Sequence, residues 1–162
     1  MATDTQYVRG AARLSQRIST IRARYSLPPL MDEIGALLLK RVKDRFRREL
    51  TPDYVPWAAL KPATLRRKEA LGFGDAQKLV REGKLRDAIE IIKGGLGSTF
   101  FNSGAGFRIG IDDPDIAKYA AAQNNGIPGR LVARRFLGIG ALDVRAVDSL
   151  LRRKAASLEN GL

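Results

Sequence analysis

The 162-residue sequence contains no cysteine and no histidine. Together these absences remove disulfides, thiolate nucleophiles, histidine-based triads and the common zinc sites. They leave open a Mg²⁺ or Ca²⁺ ion held by carboxylates alone. Apolar runs are short. The longest, Ile34–Leu39, falls far below the ~20 residues a membrane span requires. The N-terminal residues Met1–Gln6 are polar and include Asp4, unlike a signal peptide. The expectation is a soluble protein made in the cytoplasm, with no membrane partner. Phosphate-binding motifs are also missing. Neither Gly94-Gly95-Leu96-Gly97 nor Gly104-Ala105-Gly106 precedes a helix carrying Lys-Ser/Thr, so neither a P-loop nor a dinucleotide fingerprint is present. Ser98, Thr99 and Ser103 show no nucleophile elbow, and no close pair of carboxylates marks a cleft. The chain therefore reads as a non-enzyme, without cofactor or metal.

What the chain does have is positive charge. Lysine and arginine number 29 against 17 acids, a formal net charge of +12. Such a surplus implies an anionic partner, and nucleic acid is the first candidate. Leu14, Ile18, Ile21 and Tyr25 form a narrow apolar stripe over a basic helix at 7–25. The spacing of Leu30, Ile34, Leu38, Val42, Phe46 and Leu50 predicts a second helix over 29–50. Pro29 suits its first position, and Asp32 and Glu33 suit its first turn. Arg41, Arg45 and Arg48 load its second half with positive charge, making them candidate contacts to DNA or an acidic partner.

Pro52, Pro56 and Pro62 then exclude a continuous helix or a central strand over 52–68. Tyr54, Val55, Trp57, Leu60 and Leu65 are too apolar for a solvated linker, so this stretch reads as a packing arm. Its only tryptophan, Trp57, is expected to pack either in its own subunit or against a neighbour. A short helix at 63–70 follows. Ala88–Lys93, Ser98–Phe101 and Phe107–Ile111 read as strands of a small antiparallel sheet. Asp113 is a good N-cap before Pro114, which accounts for the aspartates at 112, 113 and 115 better than a calcium loop does. Residues 127–140 read as extended and irregular, with Phe136 and Leu137 as the apolar anchor. A last helix runs over 142–158. The fold class is α+β: long N-terminal helices, a small antiparallel sheet, a C-terminal helix and extended arms. The division expected is one domain over 1–162, with an arm at 1–28, a core at 29–140 and the final helix at 141–162.

Several blocks carry a resemblance. Pro52-Asp53, Trp57, Leu60-Lys61-Pro62 and Thr64 are similar to the P-D-G-x-x-W-x-x-L-K-P-x-T stretch of the phage virion morphogenesis proteins, the tail-completion proteins of contractile-tailed phages. Asp44–Leu50, reading D-R-F-R-R-E-L, also resembles that family. So do Leu79-Val80 with Gly83, Leu85, Arg86, Asp87 and Ile89, then Arg108–Gly110 with Tyr119-Ala120, and lastly Ala133-Arg134 with Phe136-Leu137-Gly138. The blocks occur in family order over about 44–140. Tyr54 stands where Gly is usual, Gln123–Gly126 replaces H-Q-F-G, and Arg135 replaces Pro.

The resemblance implies a structural protein of the virion neck, completing the tail and joining it to the DNA-filled head. It implies a homo-oligomer, a sixfold ring around a DNA channel, whose subunits exchange arms. It also implies contacts with other neck, tail-terminator, tail-tube or portal-side proteins. Trp57, Leu60, Pro62, Arg134, Phe136 and Leu137 are then the candidate subunit or partner interface. On this reading Trp57→Ala would spare the helical core and impair assembly. The alternatives are a tail terminator or head-completion ring, or, in another class, a basic DNA-binding protein associated with packaging.

Overall fold

The computed structural model describes residues 27–80, 82–93 and 107–159. The expected helix at 7–25, the strand at 98–101 and the turns at 94–97 and 102–106 lie outside these residues. The elements are α1 (Leu27–Arg48), α2 (Pro62–Ala70), α3 (Lys84–Asp87), β1 (Glu90–Lys93), β2 (Phe107–Gly110), α4 (Pro114–Asn125) and α5 (Ala141–Glu159). Strands β1 and β2 pair as a two-stranded antiparallel sheet, so the class is α+β.

The described residues fall into two compact units. The first comprises 27–41, 91–93, 107–110 and 138–159; the second comprises 42–80, 82–90 and 111–137. Helix α1 contributes to both. It starts two residues earlier than the spacing predicts, because prolines are tolerated where the helix N–H groups have no internal acceptor. Asp32 and Glu33 consequently lie past the first turn. The helix stops after Arg48, where Glu49 takes φ 56°, a left-handed terminus made without glycine.

In the first unit Leu30, Met31, Ile34 and Leu38 of α1 are buried, as are Phe107, Ile109, Ile139, Val147 and Leu151. The sheet approaches α1 closely at Gly35. A Cβ there would sit 3.2 Å from the Ile91 side chain and 3.5 Å from Phe107. Two ion pairs tie α1 to α5. Glu33 pairs with Lys154 and Arg41 with Asp143, each at 2.6 Å. The partner number falls along α5 as it rises along α1, so the two helices run antiparallel. Asp143, wholly buried, also accepts from the Gly140 N–H at 2.8 Å, which caps the start of α5.

In the second unit Asp113 caps α4 as its position predicts, accepting from the N–H groups of Asp115 and Ile116. At the other end the helix closes at Gly126, which takes positive φ (75°) with an extended ψ of 174°. A short α3 turn precedes β1, so the strand begins at Glu90 and not at Ala88.

Candidate functional site

The arm after α1 folds back on the helix it leaves. The turn Thr51–Val55 is closed by the Tyr54 N–H on Thr51 O at 2.9 Å and by the Val55 N–H on Thr51 Oγ1 at 3.0 Å. Tyr54 takes φ 63°, the conformation a glycine adopts without strain, so the turn forms without the glycine the family pattern has there. The Trp57 N–H then reaches Glu49 O at 2.8 Å. This delivers the indole edge-on to Phe46, with centroids 5.4 Å apart and planes at 86°. Phe136 meets the same ring at 5.0 Å. Such aromatic pairs contribute about 0.5–1.5 kcal/mol beyond the area they bury.

A second extended segment, 134–137, lies alongside this arm and is hydrogen-bonded to it. Arg134 donates from Nε to Ala58 O at 3.0 Å and from Nη2 to Ala59 O at 2.9 Å. The indole N–H of Trp57 donates to Arg135 O at 2.9 Å. Arg45 donates to Phe136 O at 2.9 Å. Asn124 completes the set: its Oδ1 accepts from the N–H groups of both Phe136 and Leu137, each at 2.9 Å. Burial of the Arg134 guanidinium lowers its pKa, although Tyr119 and Glu49 act in the opposite direction. Its partners are backbone carbonyls rather than carboxylates.

The end of α1 is held from another side. Gln77 donates to Arg47 O at 2.9 Å, and Glu49 accepts from both the N–H and the ammonium of Lys78, each at 2.6 Å. Burial would raise the Glu49 carboxyl. The Lys78 hydrogen bonds and the charges of Lys78 and Lys68 outweigh it, so the carboxyl lies below its ordinary pKa.

The structure therefore brings Trp57 and Phe136 against Phe46, with Arg134 and Leu137 on the hydrogen-bonded segment that carries Phe136. Trp57 is 3% exposed, Phe136 0% and Leu137 2%. The Trp57 indole packs within its own chain. Leu60 is half-buried and Pro62, at the start of α2, is exposed. The basic candidates do not share one environment. Arg45 is buried in the cluster, Arg41 is paired with Asp143 in the first unit, and Arg48 is exposed. Sequence reasoning missed Asn124, whose N-N-G context signals only a helix end, and Asp143, which resembles any surface acid at a helix start.

Apolar side chains also remain outside. Val55 is 57% exposed, Leu71 51%, Val132 54% and Tyr119 50%. Helix α2 buries none of its residues. Among the described residues none buries it, which is unusual for a nine-residue helix bearing Leu65. Among the described residues no group of acidic side chains could hold a metal ion, and no helix is long and apolar enough to cross a membrane.

The model of the phage virion morphogenesis family matches residues 9–155. The chain belongs to the phage virion morphogenesis family. No curated protein and no solved structure matches it. Membership gives the chain a structural or assembly role in a phage virion. For this morphogenesis protein the Trp57–Phe136 cluster is the framework that holds the two arms.

Proposed function

We propose that this chain is a neck protein that completes the phage tail and joins it to the filled head, as one subunit of a sixfold ring. The family match over 9–155 carries the reading. Two physical features support it. A subunit of charge +12, repeated around a ring, attracts DNA in its channel without regard to base sequence, over about a Debye length of ~8–10 Å. Exposed Val55, Leu65 and Leu71 supply apolar area that a ring contact would cover.

Native mass spectrometry of the purified chain, alone and with purified tail tubes, tests this. A discrete ring-sized oligomer, alone or formed on tubes, is expected. A monomer with no affinity for tails, binding DNA tightly and salt-sensitively, would replace this reading with that of a packaging-associated DNA-binding protein. If the ring forms but binds the portal side and not tubes, the chain is a head-completion protein.

A further inference from the structure

Two hollows adjoin on the second unit, sharing Leu79 and Tyr119 as a common wall. The smaller, about 300 Å³, lies between the start of α2, the exposed side of α4 and the loop that follows Gly126. Its floor is aliphatic: Leu60, Leu79, Val80, Leu131 and Val132. Its charged lining is Lys61, Lys68, Arg130 and Arg134, with no carboxylate. Lys61 and Arg130 are exposed and have no ion-pair partner among the described residues. Arg134 is 6% exposed and spends its donors on the carbonyls of Ala58 and Ala59.

The loop wall has a fixed backbone. Ile127 and Leu131 form a bridge, and the Arg134 N–H holds Gln123 O at 2.8 Å. A Cβ on Gly126 would sit 2.8 Å from both Ala133 N and Leu131 O, so the return of the chain depends on that glycine. The groove is thus a prepared surface of aliphatic floor and cationic rim.

We propose that this groove docks an acidic segment of another protein, one that sets aliphatic side chains on the floor and carboxylates on the Lys61–Arg130 rim. Charge complementarity selects this occupant: four cations line the hollow without one acid. Nucleic acid fits less well, because a sugar-phosphate backbone leaves the aliphatic floor uncovered. A second copy would dock here only through an acidic, aliphatic segment of its own, and the oligomer readout below separates that occupant from another protein. The proposal goes beyond the ring reading and holds for a monomer as for a ring.

The test uses the full-length chain and a fluorescein-labelled peptide alternating leucine with glutamate. An analogue with glutamine for every glutamate and a DNA duplex of mixed sequence serve as competitors in fluorescence anisotropy. The acidic peptide is expected to bind at least about tenfold more tightly than the glutamine analogue, a ratio worth ~1.4 kcal/mol. Lys61→Glu with Arg130→Glu should reverse that preference, and Val132→Ser should weaken binding on its own. Thermal melts should confirm that these exposed substitutions leave the fold intact. Absent binding, or equal binding of both peptides, overturns the proposal. If the duplex displaces the peptide and the rim variants lose DNA affinity, the groove is a nucleic-acid site and the proposal fails. If native mass spectrometry shows that the rim variants change the oligomer, the occupant is a second copy and it also fails. Loss of the ring with peptide binding intact would count against the ring alone.

Discussion

Phe46 shows how much one side chain position decides. It sits in the last turn of α1, fully buried, and both arms bring an aromatic ring to it. Because Trp57 is buried in its own chain, Trp57→Ala should cost about 3–5 kcal/mol in urea unfolding, replacing the expectation that the core would be spared. A variant as stable as the parent would place the indole's role elsewhere. Asn124→Ala leaves two buried N–H groups, those of Phe136 and Leu137, without an acceptor; a loss of about 2 kcal/mol or more is expected by the same measurement. Glu49 adds a pH dependence. Its folded pKa is below the ordinary 4.5, so its stabilisation is present above that value and is lost as pH falls through the folded pKa. The Tm difference between the parent and Glu49→Gln should therefore be open at neutral pH and narrow as the pH falls below the ordinary 4.5 and through the lowered folded pKa. A difference that persists unchanged into acid would remove the carboxylate from the explanation.

At the scale of elements, α1 and α5 differ in how their two ion pairs are placed. Asp143 is 1% exposed in its side chain and Arg41 21%, whereas Lys154 and Glu33 are 46% and 41% exposed. Asp143→Ala removes the ion pair to Arg41 and the acceptor of the Gly140 N–H that caps α5, and should cost about 2 kcal/mol or more by chemical denaturation. Glu33→Gln should stay within about 0.5 kcal/mol, since an exposed pair contributes little. Comparable losses from both would mean that burial does not set the difference. The helical stripe of α1, the Asp113–Pro114 start of α4 and the irregular course of 127–140 were legible because periodicity, capping and their absence are local; the turn that bridges Ile127 to Leu131 was not. The handling of Arg45 was not. It lies in a run of basic residues like a solvated face, but the segment 134–137 returns to offer it the Phe136 carbonyl.

For the whole molecule, charge and family membership carry the functional reading. A net charge of +12 predicts binding to duplex DNA that ignores base sequence and falls steeply with salt. Filter binding of two unrelated duplexes across a salt series checks this, and a strong preference for one duplex would contradict it. Because Arg45 is interior and Arg41 is paired, only exposed Arg48 of the three candidates reports cleanly on contact with DNA or an acidic neighbour. Arg48→Gln should lower the salt slope by about one phosphate contact if that contact exists.

The sequence by itself determined the class of molecule. Its missing residues removed whole chemistries, its periodicities set the helices, and its ordered motif blocks pointed to the phage virion morphogenesis family that the 9–155 match shows. Those signals are carried by composition and by neighbours within a turn or two. Tertiary structure alone decided which side chains face inward. Trp57 lies more than seventy residues from Arg134 and Phe136 on the other arm, and the joining of the two arms depends on backbone carbonyls that every residue possesses. A hydrogen bond to a carbonyl leaves no mark in the identity of the residue that supplies it. That is why the arms could be recognised in the sequence while the surface they leave free, the cationic groove beside Tyr119, could not.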